Sequence, residues 1–193
     1  MVNDVQLETE RLLLRMIRLE DFEAYAALGA DPEVMRYLGG KTWDRLESWR
    51  HMCAMVGHWH FRGYGIWAVE EKATGQFIGR IGLHYPETWP GFELGWTLAR
   101  AAQGKGYATE AARRALEYAF VDLNRDHVIS LINPENQASI RVAERIGETV
   151  EGQIPNCWER KFWSTESIGT HGAHNRLTIE SRASSDWNQA FYA

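Results

Sequence analysis

One segment constrains this chain more than any other. It covers residues 93–110 and has the sequence ELGWTLARAAQGKGYATE. The apolar and β-branched residues at its start predict a strand, and the alanine-rich end predicts a helix. Gly104 and Gly106 in the turn between them allow backbone N–H groups to point outward together. Because a helix N-terminus adds positive charge to such a turn, the segment predicts a binding site for phosphate or pyrophosphate.

The turn does not match the common phosphate-binding motifs. It lacks the G-x-x-x-x-G-K-[ST] spacing of a P-loop. It also departs from the dinucleotide fingerprint G-x-G-x-x-G, because Thr109 occupies the position of the third glycine. An ordinary strand–helix turn that uses glycine only for its geometry therefore stays open at this point.

Composition excludes several classes of protein. The 193 residues suit one domain spanning the whole chain, and a formal net charge of −5 disfavours nucleic acid as a partner. Cys53 and Cys157 are too few for a disulfide framework, and His51, His58 and His60 lack the spacing of a zinc site, so we expect no metal. We find no signal peptide and no apolar stretch of about 18 residues, which predicts a cytoplasmic protein without a membrane partner.

Periodicity and breaker residues predict the remaining elements. We expect strands over residues 11–18, 66–70, 77–84, 92–99, 127–132, 149–154 and 176–181. We expect helices over residues 20–28, 33–38, 43–61, 104–121 and 136–146, and a short one beginning near residue 184. Thr42 is the candidate N-cap of the third helix. The broad apolar side of that helix contains Trp43, Leu46, Trp49, Met52, Met55 and Trp59. This order predicts an α/β or α+β domain around one mixed sheet.

The glycine turn also fits a longer pattern, Q/R-x-x-G-x-G/A, with Gln103, Gly106 and Ala108 at its fixed positions. This pattern resembles motif A of the GNAT superfamily of acetyltransferases. The string GKGYATEA resembles more closely the branch of the ribosomal-protein N-terminal acetyltransferases RimJ and RimL. LETERLLLR over residues 7–15 is similar to the first strand of that branch, and NPENQASIRVAERIG over residues 133–147 is similar to its later helix.

The resemblance implies the GNAT fold, a single mixed, mostly antiparallel sheet with helices on both faces. Its fourth and fifth strands, here residues 92–99 and 127–132, splay apart. The pantetheine arm of acetyl-CoA lies between them, bonds the backbone of the first, and continues to the pyrophosphate at the turn. The implied cofactor-binding residues are Trp96, Thr97, Leu98, Gln103, Gly104, Lys105, Gly106, Tyr107, Ala108, Thr109 and Asn136. Asn136 also suits the N-cap of its own helix.

The resemblance further implies transfer of the acetyl group to a primary amine by direct attack in a ternary complex. The amine must lose a proton, and Glu93 is the candidate base, with a solvated strand carboxylate as the alternative. His84 is the second candidate, although a lone histidine is more often structural. Ser139 is the implied proton donor to the CoA thiolate, since Ala143 stands where many GNAT enzymes have a tyrosine.

The acceptor is less constrained. A protein N-terminus or a small amine is expected, with a monomer or homodimer as the assembly. Residues after Gly152 depart from the family pattern, and in the family that region shapes the acceptor site. A noncatalytic CoA-binding or regulatory GNAT-like module and a nucleotide- or phosphate-binding domain stay open as alternatives. Glu93, Asn136 and Ser139 favour the enzyme.

Overall fold

The computed structural model describes residues 5–154 and 176–182, and the short helix predicted near residue 184 lies outside them. The strands are β1 (Leu7–Glu8), β2 (Leu12–Arg15), β3 (Ile66–Glu71), β4 (Gln76–His84), β5 (Glu93–Leu98), β6 (His127–Ile132), β7 (Thr149–Ile154) and β8 (Arg176–Arg182). The helices are α1 (Phe22–Ala30), α2 (Pro32–Met35), α3 (Arg45–Arg62), α4 (Tyr107–Glu117) and α5 (Gln137–Arg145). A π-helical turn, Tyr118–Asp122, extends α4, where one continuous α-helix was predicted.

The eight strands form one mixed sheet in the order β1-β2-β3-β4-β5-β6-β8-β7. Every neighbouring pair is antiparallel except β5 and β6, which run parallel and meet only at Glu93 and Ile129. The predicted splay between residues 92–99 and 127–132 is therefore confirmed. These strands are the fifth and sixth rather than the fourth and fifth, because β1 was not predicted.

Both faces of the sheet carry helices, and β3 shows how the two cores are divided. Ile66 and Ala68 pack with residues of α1 and α3. Trp67 and Val69, which alternate with them, join the larger core that includes the alanines of α4. On the far side of the splay, Ala143 of α5 is buried in a third, smaller core. The predicted mixed sheet with helices on both faces is thus present.

The start of α3 differs from the prediction. Asp44, not Thr42, is its N-cap: the Asp44 carboxylate accepts a hydrogen bond from the Glu47 N–H, and Glu47 accepts one from the Asp44 N–H. This reciprocal capping box stabilises the first turn of the helix more than a lone threonine two residues earlier would. The helix consequently begins at Arg45.

The apolar side of α3 is narrower than predicted. Met52, Met55 and Trp59 are buried, whereas Leu46 is 52% exposed and Trp49 is 40% exposed. Trp49 instead packs edge-on against Phe22 at the surface. Although α3 has 18 residues, no helix in the described portion of the chain is both long and apolar enough to cross a membrane.

Candidate active site

The glycine turn forms a concave group of backbone donors at the N-terminus of α4. Gly104 and Gly106 adopt φ of +74° and +82°, and Gly106 is the N-cap. The helix therefore begins at Tyr107 rather than at Gly104 as predicted, because these left-handed conformations interrupt it. Within the described residues, the N–H groups of residues 104–109 have no hydrogen-bond acceptor. They are available to an anion, as helix N-termini commonly are.

Arg11 adds a positive charge beside this turn, and the sequence analysis did not identify it. Its guanidinium donates to the Lys105 carbonyl over 3.0 Å and pairs with Glu110 at 2.6 Å. Glu110 also accepts a hydrogen bond of 2.6 Å from the Thr9 hydroxyl. These contacts connect residues 7–15 with residues 104–111, two of the segments that resemble the GNAT family. No local signal in the sequence predicts a contact between residues that are 94 positions apart.

Two of the predicted turn residues brace the turn from the side. The Gln103 side chain donates to the Leu98 carbonyl at the end of β5 over 2.9 Å. The buried Tyr107 donates through its hydroxyl to Glu71 over 2.5 Å. Ala108 is half-buried in the first turn of α4. These contacts hold the turn at a fixed angle between β5 and the helix.

The sheet opens next to this turn. At the closed end of the opening, the Phe92 carbonyl accepts a hydrogen bond from the Ile129 N–H over 2.9 Å. The Leu94 carbonyl accepts one from the Ser130 hydroxyl over 2.8 Å. Beyond Leu94 no further backbone pair joins β5 to β6. A wedge-shaped cleft therefore widens from Leu94 towards the glycine turn.

Alternation along β5 decides which predicted backbone groups face the cleft. Backbone groups of alternate residues in a strand point to the same neighbouring strand. Trp96 and Leu98 follow Leu94 at steps of two residues, so their N–H and C=O groups point towards β6 as those of Leu94 do. Thr97 is paired with Arg80 of β4, and a Cβ added at Gly79 would lie 2.3 Å from the Thr97 carbonyl oxygen. The Thr97 backbone thus faces β4, and this residue lines the cavity described below.

Helix α5 forms the other wall of the cleft. Asn136 is its N-cap as predicted, since its side-chain oxygen accepts a hydrogen bond from the Ser139 N–H over 3.2 Å. The indole N–H of Trp96 donates across the cleft to the Ser139 hydroxyl oxygen over 3.3 Å. Because the serine oxygen acts there as acceptor, its own proton is available to another group.

Glu93 and His84 lie directly opposite each other on β5 and β4. Glu93 is 7% exposed, and its carboxylate accepts a hydrogen bond of 2.7 Å from the Trp89 indole. Burial, with the nearby His58 and Arg80, lowers the pKa of His84 to about 3. His84 is therefore neutral at physiological pH. Both candidate bases line one cavity, together with Ser139, the third predicted catalytic residue.

Glu148, which follows α5, is a buried acid that the sequence analysis missed. It is 4% exposed, and burial raises its pKa to about 8, opposed by a Ser130 hydrogen bond and assisted by the charge of Glu93. The Ser130 hydroxyl oxygen lies 3.0 Å from one Glu148 oxygen. Ser130 has a single proton, which it can donate either to Glu148 or to the Leu94 carbonyl.

These features surround a single cavity of about 910 Å³. It is lined by the glycine turn, by both walls of the cleft, and by the face of β4 and β5 that packs towards α1 and α3. Members of its lining include Gly104, Gly106, Trp96, Ser139, Glu93 and His84. An anion site, an open strand edge and a buried carboxylate thus share one space.

The predicted absence of a metal site stays a prediction. Outside the cavity, ligand atoms of His127, Glu151 and Glu180 lie within 4.8 Å of one another. The His127 Nε2 atom is 2.7 Å from a Glu180 oxygen, so hydrogen bonding accounts for at least this contact.

Comparison with known proteins agrees with this geometry. The family model described as an acetyltransferase (GNAT) domain matches residues 11–149. The uncharacterized protein YkkB of Bacillus subtilis (strain 168) is 38% identical over 151 residues, which cover 74% of this chain and 84% of YkkB. A spermidine N(1)-acetyltransferase of Escherichia coli (strain K12) is 38% identical over 144 residues, covering 73% of this chain and 74% of the relative.

A solved structure shows the same fold. The crystal structure of the acetyltransferase from Agrobacterium tumefaciens str. C58 superimposes with a TM-score of 0.76 and 32% identity, covering 93% of this chain and 95% of that one. The two chains therefore share one fold. With a family model matching most of its residues, and with its splayed sheet and glycine turn, this chain belongs to the GNAT family of acetyltransferases.

Proposed function

We propose that the chain transfers the acetyl group of acetyl-CoA to a primary amine by direct attack in a ternary complex. The observation that carries this proposal is the single cavity that joins the glycine turn, the cleft between β5 and β6, and the buried Glu93. In the reaction, the amine nitrogen forms a bond to the thioester carbonyl carbon, and the C–S bond then breaks. The amine loses a proton and the CoA thiolate gains one.

The donor binds along the α4 and α5 side of β5. Its pyrophosphate accepts hydrogen bonds from the free N–H groups of residues 104–109, and Lys105 and Arg11 supply opposite charge. The pantetheine arm bonds the cleft-facing backbone of Trp96 and Leu98. Leu98 already accepts one hydrogen bond from Gln103, and its carbonyl retains a second lone pair for the ligand.

Glu93 acts as the general base for the attacking amine. Its carboxylate is buried in the cavity and held by Trp89, so its orientation is fixed. His84 is the weaker candidate, because a group with a pKa of about 3 has little affinity for the proton of an ammonium group. His84 instead lines the acceptor site as an uncharged side chain.

The negative charge that develops on the thioester oxygen and on the leaving sulfur is stabilised by groups in the cleft between β5 and β6. The N–H of Trp96 points into the cleft and is the donor available to the tetrahedral oxyanion. Ser139, whose oxygen is already held by the Trp96 indole, donates its proton to the leaving thiolate. The acceptor is a small amine or a protein N-terminus, and the spermidine-acetylating relative makes polyamines one class to test.

The proposal is tested by Glu93→Gln and Ser139→Ala. Loss of a general base commonly lowers the rate by about 10²- to 10⁴-fold, and we expect Glu93→Gln to lower kcat in that range while the Kd for acetyl-CoA stays within about twofold. Ser139→Ala lowers kcat less. Glu87→Gln is the matched control, because Glu87 is 89% exposed in the loop before β5. Unchanged turnover in both test variants would refute this mechanism.

Ligand binding separates the remaining alternatives. Thermal-shift measurements with acetyl-CoA, ATP and NAD distinguish a CoA site from a general phosphate site. Stabilisation by NAD and none by acetyl-CoA would exclude the proposed donor. Stabilisation by acetyl-CoA without transfer to any amine in a broad panel would instead indicate a noncatalytic CoA-binding module.

A further inference from the structure

Arg80 is a cation in the cavity wall, and no carboxylate of the described residues pairs with it. It lies on β4 opposite Thr97 and is half-buried. Its guanidinium carbon is 5.7 Å from the ring centroids of both Tyr25 and Trp43. The Nε atom is buried and has no hydrogen-bond partner, and among residues 5–154 and 176–182 Arg80 forms no ion pair. This leaves the Nε donor of the guanidinium unsatisfied.

A buried arginine of the same sheet shows the usual arrangement. Arg15 on β2 donates two hydrogen bonds of 2.8 Å to Asp21 and one of 2.7 Å to Glu70. Such pairing offsets the cost of removing a guanidinium from water. Two aromatic rings near Arg80 offset only part of that cost. An unpaired arginine that lines a ligand cavity is therefore suited to a ligand that brings the missing negative charge.

The neighbours of Arg80 add donors rather than carboxylates. The hydroxyl of the buried Tyr25 lies 2.7 Å from Nδ1 of His51, which also lines the cavity. Whichever of these two groups donates, one proton of the pair remains for a ligand, either on Nε2 of His51 or on the Tyr25 hydroxyl. Thr97, directly across from Arg80, lines the same cavity. The surroundings of Arg80 thus resemble an anion-binding subsite.

We propose that Arg80 binds a carboxylate of the acceptor, so that the substrate is an amine that also carries a carboxylate. This inference rests on the proposed acetyl transfer, since it places the reacting amine beside Glu93. Arg80 lies four residues from His84 along β4, about 13 Å at the rise of a strand, and His84 is opposite Glu93. The amine and the carboxylate of the acceptor are consequently several bonds apart, as in an ω-amino acid or a short peptide.

The test compares matched acceptors with the wild-type protein. ω-Amino acids of increasing length and dipeptides with a free C-terminus are each assayed against their own carboxamides, and diamines of equal length represent the polyamine class. At the best spacing, we expect kcat/KM for the carboxylate to exceed that for the carboxamide by about 10- to 100-fold, the usual effect of a charged hydrogen bond. The two series distinguish a free amino acid from a peptide.

Variants assign this preference to Arg80. Arg80→Met is expected to reduce the ratio of kcat/KM for carboxylate over carboxamide to about twofold or less. Arg80→Lys is expected to retain part of this ratio, because lysine keeps the positive charge but lacks the planar guanidinium that can donate two parallel hydrogen bonds. Arg50→Met, on the exposed side of α3, removes an equal charge outside the cavity and should leave the preference unchanged. The KM for acetyl-CoA should stay the same in all three variants.

Calorimetry measures the Kd of each carboxylate and of its carboxamide for the CoA-bound protein, and so compares the two acceptors in the absence of acetyl transfer. Equal binding and equal kcat/KM for carboxylate and carboxamide would overturn the role of Arg80, as would a preference that survives Arg80→Met. In either case measurable acetyl transfer would leave the proposed function intact. Selective carboxylate binding without transfer to any acceptor would contradict the proposed function while supporting the Arg80 subsite.

Discussion

The buried acid Glu148 makes the stability of this protein dependent on pH in a direction opposite to that of most carboxylates. Its pKa is raised from 4.5 to about 8, mainly by burial. Between these values the folded protein holds a proton that the unfolded chain has released. Folding therefore becomes less favourable as pH rises through this window. Replacing Glu148 by glutamine, which has the shape of the protonated acid and no charge, should remove that dependence.

The expected magnitude follows from proton linkage. A folded state that binds one proton more than the unfolded state loses about 1.4 kcal/mol of stability per pH unit. Because the titration is incomplete at both ends of the range, the loss from Glu148 between pH 5 and pH 8 amounts to roughly 3–4 kcal/mol, a large share of the 5–15 kcal/mol that is typical of a folded domain. The glutamine variant should resemble the wild type at pH 5 and exceed it in stability by a few kcal/mol at pH 8.

Urea unfolding of wild type and Glu148→Gln at pH 5, 6, 7 and 8 measures this difference. Titrating groups remote from Glu148 affect both proteins alike, so the difference between the two unfolding free energies reports Glu148 together with its coupling to Glu93. Glu144→Gln, an exposed site on α5, serves as the control and should give a difference that does not change with pH. A difference between wild type and Glu148→Gln that is constant over this range would refute the reasoning.

Three further substitutions test the fold and the site. Gly106→Ala forces a left-handed conformation of φ +82° on an L-residue, at a cost of about 1–2 kcal/mol, and should raise the Kd for acetyl-CoA by about tenfold in calorimetry. Arg15→Met leaves Asp21 buried without its partner and should lower the free energy of unfolding by about 3–5 kcal/mol in urea titration. Trp96→Phe removes the donor to Ser139 and should lower kcat by roughly 3- to 10-fold. This last effect should vanish in the Ser139→Ala background, which a double-mutant cycle measures.

The elements that the sequence predicts correctly are those specified by short-range chemistry. Asn136 caps α5 because its side chain bonds an N–H only three residues away. Gly104 and Gly106 mark the turn because few other residues adopt their backbone conformation. The separation of β5 from β6 was predicted from the family resemblance, and the single pairing of these strands, between Glu93 and Ile129, agrees with it.

The features that sequence reasoning missed depend on contacts between distant segments. Arg11 reaches a turn 94 residues further along the chain. The protonation of Glu148 depends on burial beside Ser130, which no local pattern reports. Leu46 and Trp49 fit the apolar spacing of α3 but face solvent, because the helix contacts the sheet along a narrower stripe than its composition suggests. Periodicity identifies which residues can be buried, and packing decides which of them are.

The register of β5 links these observations. Side chains and backbone groups both alternate along a strand, so Trp96 presents its backbone to the donor cleft while Glu93 presents its side chain to the acceptor face. A slip of one residue would exchange these roles. Close approach between β4 and β5 makes such a slip costly, because any Cβ at Gly79 would lie 2.3 Å from the Thr97 carbonyl oxygen. Gly79 thus helps to hold the register that separates the donor cleft from the acceptor face, and a substitution there should impair acetyl-CoA binding and acetyl transfer together.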